Sequence, residues 1–167
     1  MTMTANAPSP SVSLPQNIVT LVTTVLIAGA FSTVAFDFFG KSLSPMLGFG
    51  GLAPVPLANG VIKTLFGTGY TPGAHALHYF AGMIAYPAGW VLIAEPLRRR
   101  FAPQVHWLIA ATVYGVALWV WALFFMAHLV AGNPPFLGWG TITWVALVGH
   151  VLFALITAMV AHLRRNA

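Results

Sequence analysis

Cysteine is absent from this chain of 167 residues. That absence excludes disulfide frameworks, thiolate metal sites, thiol redox chemistry and c-type haem attachment together. Acidic residues are almost as scarce, Asp37 and Glu95 being the whole supply. Two carboxylates on separate segments rule out a carboxylate-bridged di-iron centre and weigh against a paired acid–base hydrolase. Charge of either sign is thin: 5% of the chain, against about 25% in ordinary soluble domains. A soluble domain of this length could not cover its surface with so few charged side chains, so its solvent is expected to be lipid. Walker loops, dinucleotide fingerprints and recognition helices are also missing. The first 16 residues form a polar tail without Lys or Arg, so the positive n-region of a cleaved signal peptide is lacking. Ala28-Gly29-Ala30 only imitates a cleavage site.

Apolar residues are abundant, 59% of the chain. Four runs, over about 18–37, 74–94, 105–131 and 141–163, reach the roughly 20 helical residues that cross a bilayer. They are uniformly apolar and do not alternate in short strands as a barrel requires, so only helices satisfy their backbone in lipid. The expected fold is all-α: an integral membrane four-helix transmembrane bundle, one domain over residues 17–165. Pro87 is expected to kink the second span. Small residues at four-residue spacing (Ala28 and Ser32, Gly29 and Thr33, Ala111 and Gly115) allow close helix contact.

The net charge of +5 is not spread as a nucleic-acid face, and no nucleic-acid partner is expected. Arg98 to Arg100 follow the second span, and Arg164 and Arg165 follow the fourth. Four spans put both clusters on one side, which the positive-inside rule makes cytoplasmic, with both termini inside. A bacterial inner membrane suits this composition. The opposing loop, residues 38–72, is rich in Gly and Pro. Within it, Val61 to Phe66 reads as a short amphipathic helix lying on the interface or over the bundle mouth. Trp107, Trp139 and Trp144 fit interfacial belts.

Ionisable residues inside spans are costly and usually face the bundle interior. Asp37, His78, His128 and His150 each come from a different span, and all fall in the outer half by helical rise. His75, one turn from His78, could extend the group towards water. His106 and His162 lie at the inner ends, where a polar tip needs no special role. Three imidazoles and a carboxylate could bind a transition metal ion. Two of the histidines could instead ligate haem b, or the group could relay protons. The bland alternative is that these residues only hydrogen-bond helices together. Glu95 beside three arginines reads as an interfacial ion pair.

His78 early in a span closed by Glu95-Pro96 is one of several features that together resemble the YagU-like family of small bacterial four-helix inner-membrane proteins. The others are His128 before Gly132-x-Pro134-Pro135, Gly149-His150 in the last span, and Asp37 at the end of the first. The resemblance implies a four-helix fold and a polar group on the outer side, and it brings no activity. The leading expectation is a small membrane protein binding a metal or haem through His78, His128, His150 and Asp37. The rivals are an accessory subunit of a larger membrane complex or homo-oligomer with structural histidines, and a proton-linked transport component.

Overall fold

The computed structural model describes residues 14–166, and over them the protein is helical, with no strand. Of the tail expected over 1–16, residues 1–13 lie outside the described residues, and helix already begins at Leu14. In chain order the elements are α1 (Ile18–Met46 in its apolar part), α2 (Pro54–Phe66), α3 (Thr71–Phe101), α4 (Trp107–Val130) and α5 (Thr141–Arg165). All but α2 are long and apolar enough to cross a membrane.

Two long helices run through charges where the sequence reading ends them. α1 continues past Asp37 because Lys41, one turn on, meets its carboxylate at 2.9 Å. α3 continues past Glu95 because Arg98 and Arg99 meet that carboxylate at 2.7 and 2.8 Å. Prolines do not stop these helices either. A proline ring collides with the carbonyl four residues back, which for Pro45, Pro87 and Pro96 belongs to Lys41, Met83 and Leu92. Each of those carbonyls lies in the middle of a widened π-helical stretch: Phe39–Leu43, Ala81–Ala85 and Trp90–Ala94. Widening takes up the misfit, and helix continues through all three positions. α4 also widens, over Trp121–Val130, with no proline inside that stretch.

α5 packs along both α1 and α4 and forms the centre of the bundle, with α3 laid against α1. Small residues make these approaches possible. A Cβ at Gly29 would collide with the Met83 carbonyl of α3, and one at Gly115 would lie 2.6 Å from Val151 Cα of α5. Ala28, Ala111, Ala154 and Ala158 are buried along the same seams. In the α1–α5 seam the Ser32 and Thr157 hydroxyls bond each other at 2.7 Å.

The end of the bundle near Asp37 is closed by the segment that follows α1. The Leu52 amide donates to the Gly40 carbonyl at 2.8 Å. Its side chain fills space beside Gly40 and Gly149, packed against the clusters around Phe36, Leu118 and Phe153 and around Trp119, Leu123 and Ala146. α2 packs on α3 and α4 beside this plug. It is longer than the helix read over 61–66, because Pro54 and Pro56 sit in its first turn, where a missing donor costs nothing. It ends at Gly67, whose φ of 79° is a left-handed cap. Between α4 and α5, Phe136, Leu137 and Trp139 also take positive φ, at 49°, 55° and 58°. That strained turn is held by Phe136 and Leu137 packing on the Trp119 cluster and by the Thr143 hydroxyl donating to the Phe136 carbonyl.

Candidate functional site

The structure brings Asp37 and His78 together, and this contact joins α1 to α3. Asp37 Oδ1 lies 3.1 Å from His78 Nε2, while Oδ2 accepts from Lys41 Nζ at 2.9 Å. Both partners of the first contact are largely enclosed, with side-chain exposures of 11% for His78 and 18% for Asp37. The His78 ring leans on Tyr79, with centroids 5.1 Å apart. Widened turns begin just beyond both residues, at Phe39 in α1 and Ala81 in α3.

The other expected ligands stay apart from this pair. Phe36 sits beside Asp37 on α1 and sends its ring towards α5, where it meets His150 edge-on at 5.1 Å. The same ring lies 6.5 Å from His78, so a phenyl group sits beside both imidazoles. His150 is buried, and its Nδ1–H donates to the Ala146 carbonyl at 2.7 Å. His128 points at the turn after α4, its Nδ1–H donating to the Asn133 carbonyl at 2.7 Å. His75 is exposed and stacks on Tyr79 at 6.4 Å. Among the described residues no three His, Asp or Glu side chains are grouped so as to hold a metal ion. The four-ligand set read from the sequence is therefore not assembled. Depth along the helices puts these residues in one half of the bundle, but rotation about each helix axis sends them to different neighbours.

Two features of the histidines carry chemistry. A carbonyl can only accept, so the bonds to Ala146 and Asn133 fix the proton of His150 and His128 on Nδ1. In the neutral rings Nε2 then keeps its lone pair. At Asp37 the geometry differs: a carboxylate, which only accepts, faces His78 Nε2, so the ring's proton on that side is carried by Nε2 and donated to Asp37 Oδ1. Lys41 already balances the carboxylate charge, and a metal cation at Asp37 would have to displace it or lie beside it.

Sequence reasoning missed three contributors. Lys41 sits in what reads as a loop, and only the continuation of α1 makes it the i+4 partner of Asp37. Thr33, one turn below Asp37, is buried, and its hydroxyl oxygen has no hydrogen-bond partner among the described residues. It packs where Gly82, one turn below His78, lacks a side chain. The third is at the opposite end of the bundle. Glu95 accepts from Arg165 of α5 at 2.9 Å as well as from Arg98 and Arg99. Its i+3 and i+4 partners were legible by spacing, while Arg165, 70 residues away, was not.

Compared with known proteins, the chain finds no matching family model, no curated relative and no solved structure of similar fold.

Proposed function

We propose that this chain is a multi-pass protein of a bacterial inner membrane, with both termini in the cytoplasm, and a proton-linked transport component whose proton-binding site is the Asp37–His78 pair. The membrane reading rests on four long apolar helices and on large side chains such as Phe31, Val34, Ile93, Ile109 and Val113, which remain exposed along them. Orientation rests on the arginines gathered at one end. The observation that carries the function is the carboxylate–imidazole contact between two helices. It is enclosed and lies inside long apolar helices, and Lys41 holds the other oxygen of the same carboxylate. Ionisable residues inside spans are rare and costly, and acids and histidines placed there mark proton relays in pumps and transporters. The Thr33 hydroxyl is the next buried polar atom towards the arginine end.

Reconstituted vesicles test this. Proton entry into dye-loaded liposomes, driven by a potassium diffusion potential, should be several-fold faster with the protein than without it, as a proton-linked site predicts. Asp37→Asn should return the rate to that of empty vesicles. Equal rates for the wild type and Asp37→Asn would sink the proposal.

One observation favours a second reading, ligation of haem b or a metal ion. His128 and His150 both donate Nδ1–H to a backbone carbonyl, the arrangement that presents Nε2 to a metal. On this reading purified protein carries near-stoichiometric iron, zinc, manganese or copper and loses it in His128→Ala. Metal retained in that variant would rule His128 out as a ligand.

A further inference from the structure

The arginine end of the bundle holds a cavity that the proton site does not use. Its volume is about 570 Å³, and it lies between α1, α3 and α5 beside the start of α4. Arg99, Arg100, Arg164 and Arg165 line it, and Glu95 is the one acid in its wall. Four guanidinium groups against one carboxylate leave an excess of three positive charges. From the shape and charge of this cavity we infer that it binds the phosphate diester of an anionic phospholipid headgroup.

The donors are held ready for an anion. Glu95 Oε1 accepts from Arg99 Nε at 2.8 Å and from Arg165 Nη1 at 2.9 Å, so one oxygen orients two of the guanidinium groups that line the cavity. Each guanidinium carries five N–H donors, and these contacts use one apiece. Arg98 is the carboxylate's third partner, with Nε at 2.7 Å from Oε2 and Nη2 at 2.9 Å from Oε1, and Nη1 donating to the Val105 carbonyl at 2.8 Å. Arg164 is placed differently. Its Nε and Nη2 donate to the hydroxyls of Thr24 and Thr23, both at 3.0 Å. Those partners are neutral, so they fix the side chain without cancelling its charge. Planar guanidinium forks are matched to phosphate oxygens in geometry as well as in sign.

Deeper in, the wall turns apolar. Leu21, Val91 and the buried Trp90 line the cavity below the arginines. Trp107 lies at its edge, stacked on His162 at 5.0 Å. A free phosphate would leave that floor uncovered, whereas a phospholipid would place its glycerol and first methylenes there. Basic pockets between helices on the cytoplasmic side take anionic headgroups in this manner. The inference rests on the membrane reading and is independent of the proton site.

Native mass spectrometry of the full chain in mild detergent tests it, with phosphatidylglycerol and phosphatidylcholine offered in equal amounts. The wild type should retain phosphatidylglycerol over phosphatidylcholine by about tenfold, as expected for several basic contacts at a membrane surface. Arg99→Gln combined with Arg164→Gln should bring retention close to equality. The Lys replacements at the same two positions keep the charge, lose the fork and should fall between. Asp37→Asn should keep the wild-type preference, which separates this site from the proton site. No preference in the wild type, or an undiminished one in the double Gln variant, would overturn the inference. A second arm compares thermal stability in inorganic phosphate and in chloride at equal ionic strength. Stabilisation by phosphate without any lipid preference would assign the cavity to a free anion and overturn the lipid as its source.

Discussion

Gly29 stands at a close approach of α1 to α3, two turns below Asp37, and one added methyl group there should disturb both the fold and the proposed proton site. A Cβ at Gly29 would overlap the Met83 carbonyl oxygen and lie only 2.6 Å from both the carbonyl carbon and the Cα of Met83. These are backbone atoms inside α3, so no side-chain rotation relieves the clash. The helices must separate by roughly an ångström to restore ordinary contact, near the 3.5–4.0 Å optimum for carbon atoms. Overpacking of this kind costs about 1–3 kcal/mol. At about 2–4 °C per kcal/mol for a chain of this size, Gly29→Ala should lower the unfolding midpoint in detergent by about 2–12 °C. Separation of α1 from α3 also pulls Asp37 from His78, so the same variant should slow proton entry into liposomes. Gly140→Ala is the control, since no atom lies within 4 Å of the position its Cβ would take. Thermal unfolding followed by circular dichroism in one detergent reads both variants. If Gly29→Ala melts with the wild type while Gly140→Ala is neutral, the close α1–α3 contact is wrong and the Asp37–His78 pair loses its support.

Three further outcomes follow from contacts within the bundle. In a double-mutant cycle, Ser32→Ala and Thr157→Val should show a coupling of about 0.6–1.7 kcal/mol, the range for interhelical hydrogen bonds in membranes, and additivity would mean that their buried bond is absent. Thr33→Val removes a hydroxyl that has no partner among the described residues, so it should leave stability unchanged or raise it by about 1 kcal/mol while slowing proton entry. Unchanged proton entry would take Thr33 off the path. Glu95→Gln leaves Arg98, Arg99 and Arg165 without their anion and should cost about 1.5–3 kcal/mol at low salt, less in high salt. A loss that does not shrink with salt, measured as the unfolding midpoint, would contradict an electrostatic origin.

Helix number and course could be read from the sequence because they follow from composition. Four uniform apolar runs leave the backbone no other way to pair its donors and acceptors in lipid, and the structure shows four such helices. The ends were harder to read, for a reason visible at Asp37 and Glu95. A charge looks like a stop until its i+3 or i+4 partner is seen within the same helix. Pro96 misled in the same way: it reads as a stop, and only the backbone shows that widened turns around Leu92 absorb the ring. The site was legible in part. Depth along each helix puts Asp37, His78, His128 and His150 in the same half of the bundle. Rotation about the helix axis decides which of them meet, and the apolar pattern constrains it weakly when lipid and core are both greasy. So the Asp37–His78 pair was within reach of sequence reasoning, while the Phe36 ring between α1 and α5 and the tie from His128 to Asn133 were not.

Protonation at His78 tests the proposed proton-binding pair most directly. Nitrogen NMR of histidine-labelled protein in nanodiscs, with single-histidine variants for assignment, reports the ring state of all six histidines. His78 should gain and lose a proton reversibly, and Asp37→Asn should shift its Nε2 resonance. His128 and His150 should keep their proton on Nδ1 in the wild type and in that variant. A His78 spectrum unmoved by Asp37→Asn would contradict the pair, and with it the proton-binding site.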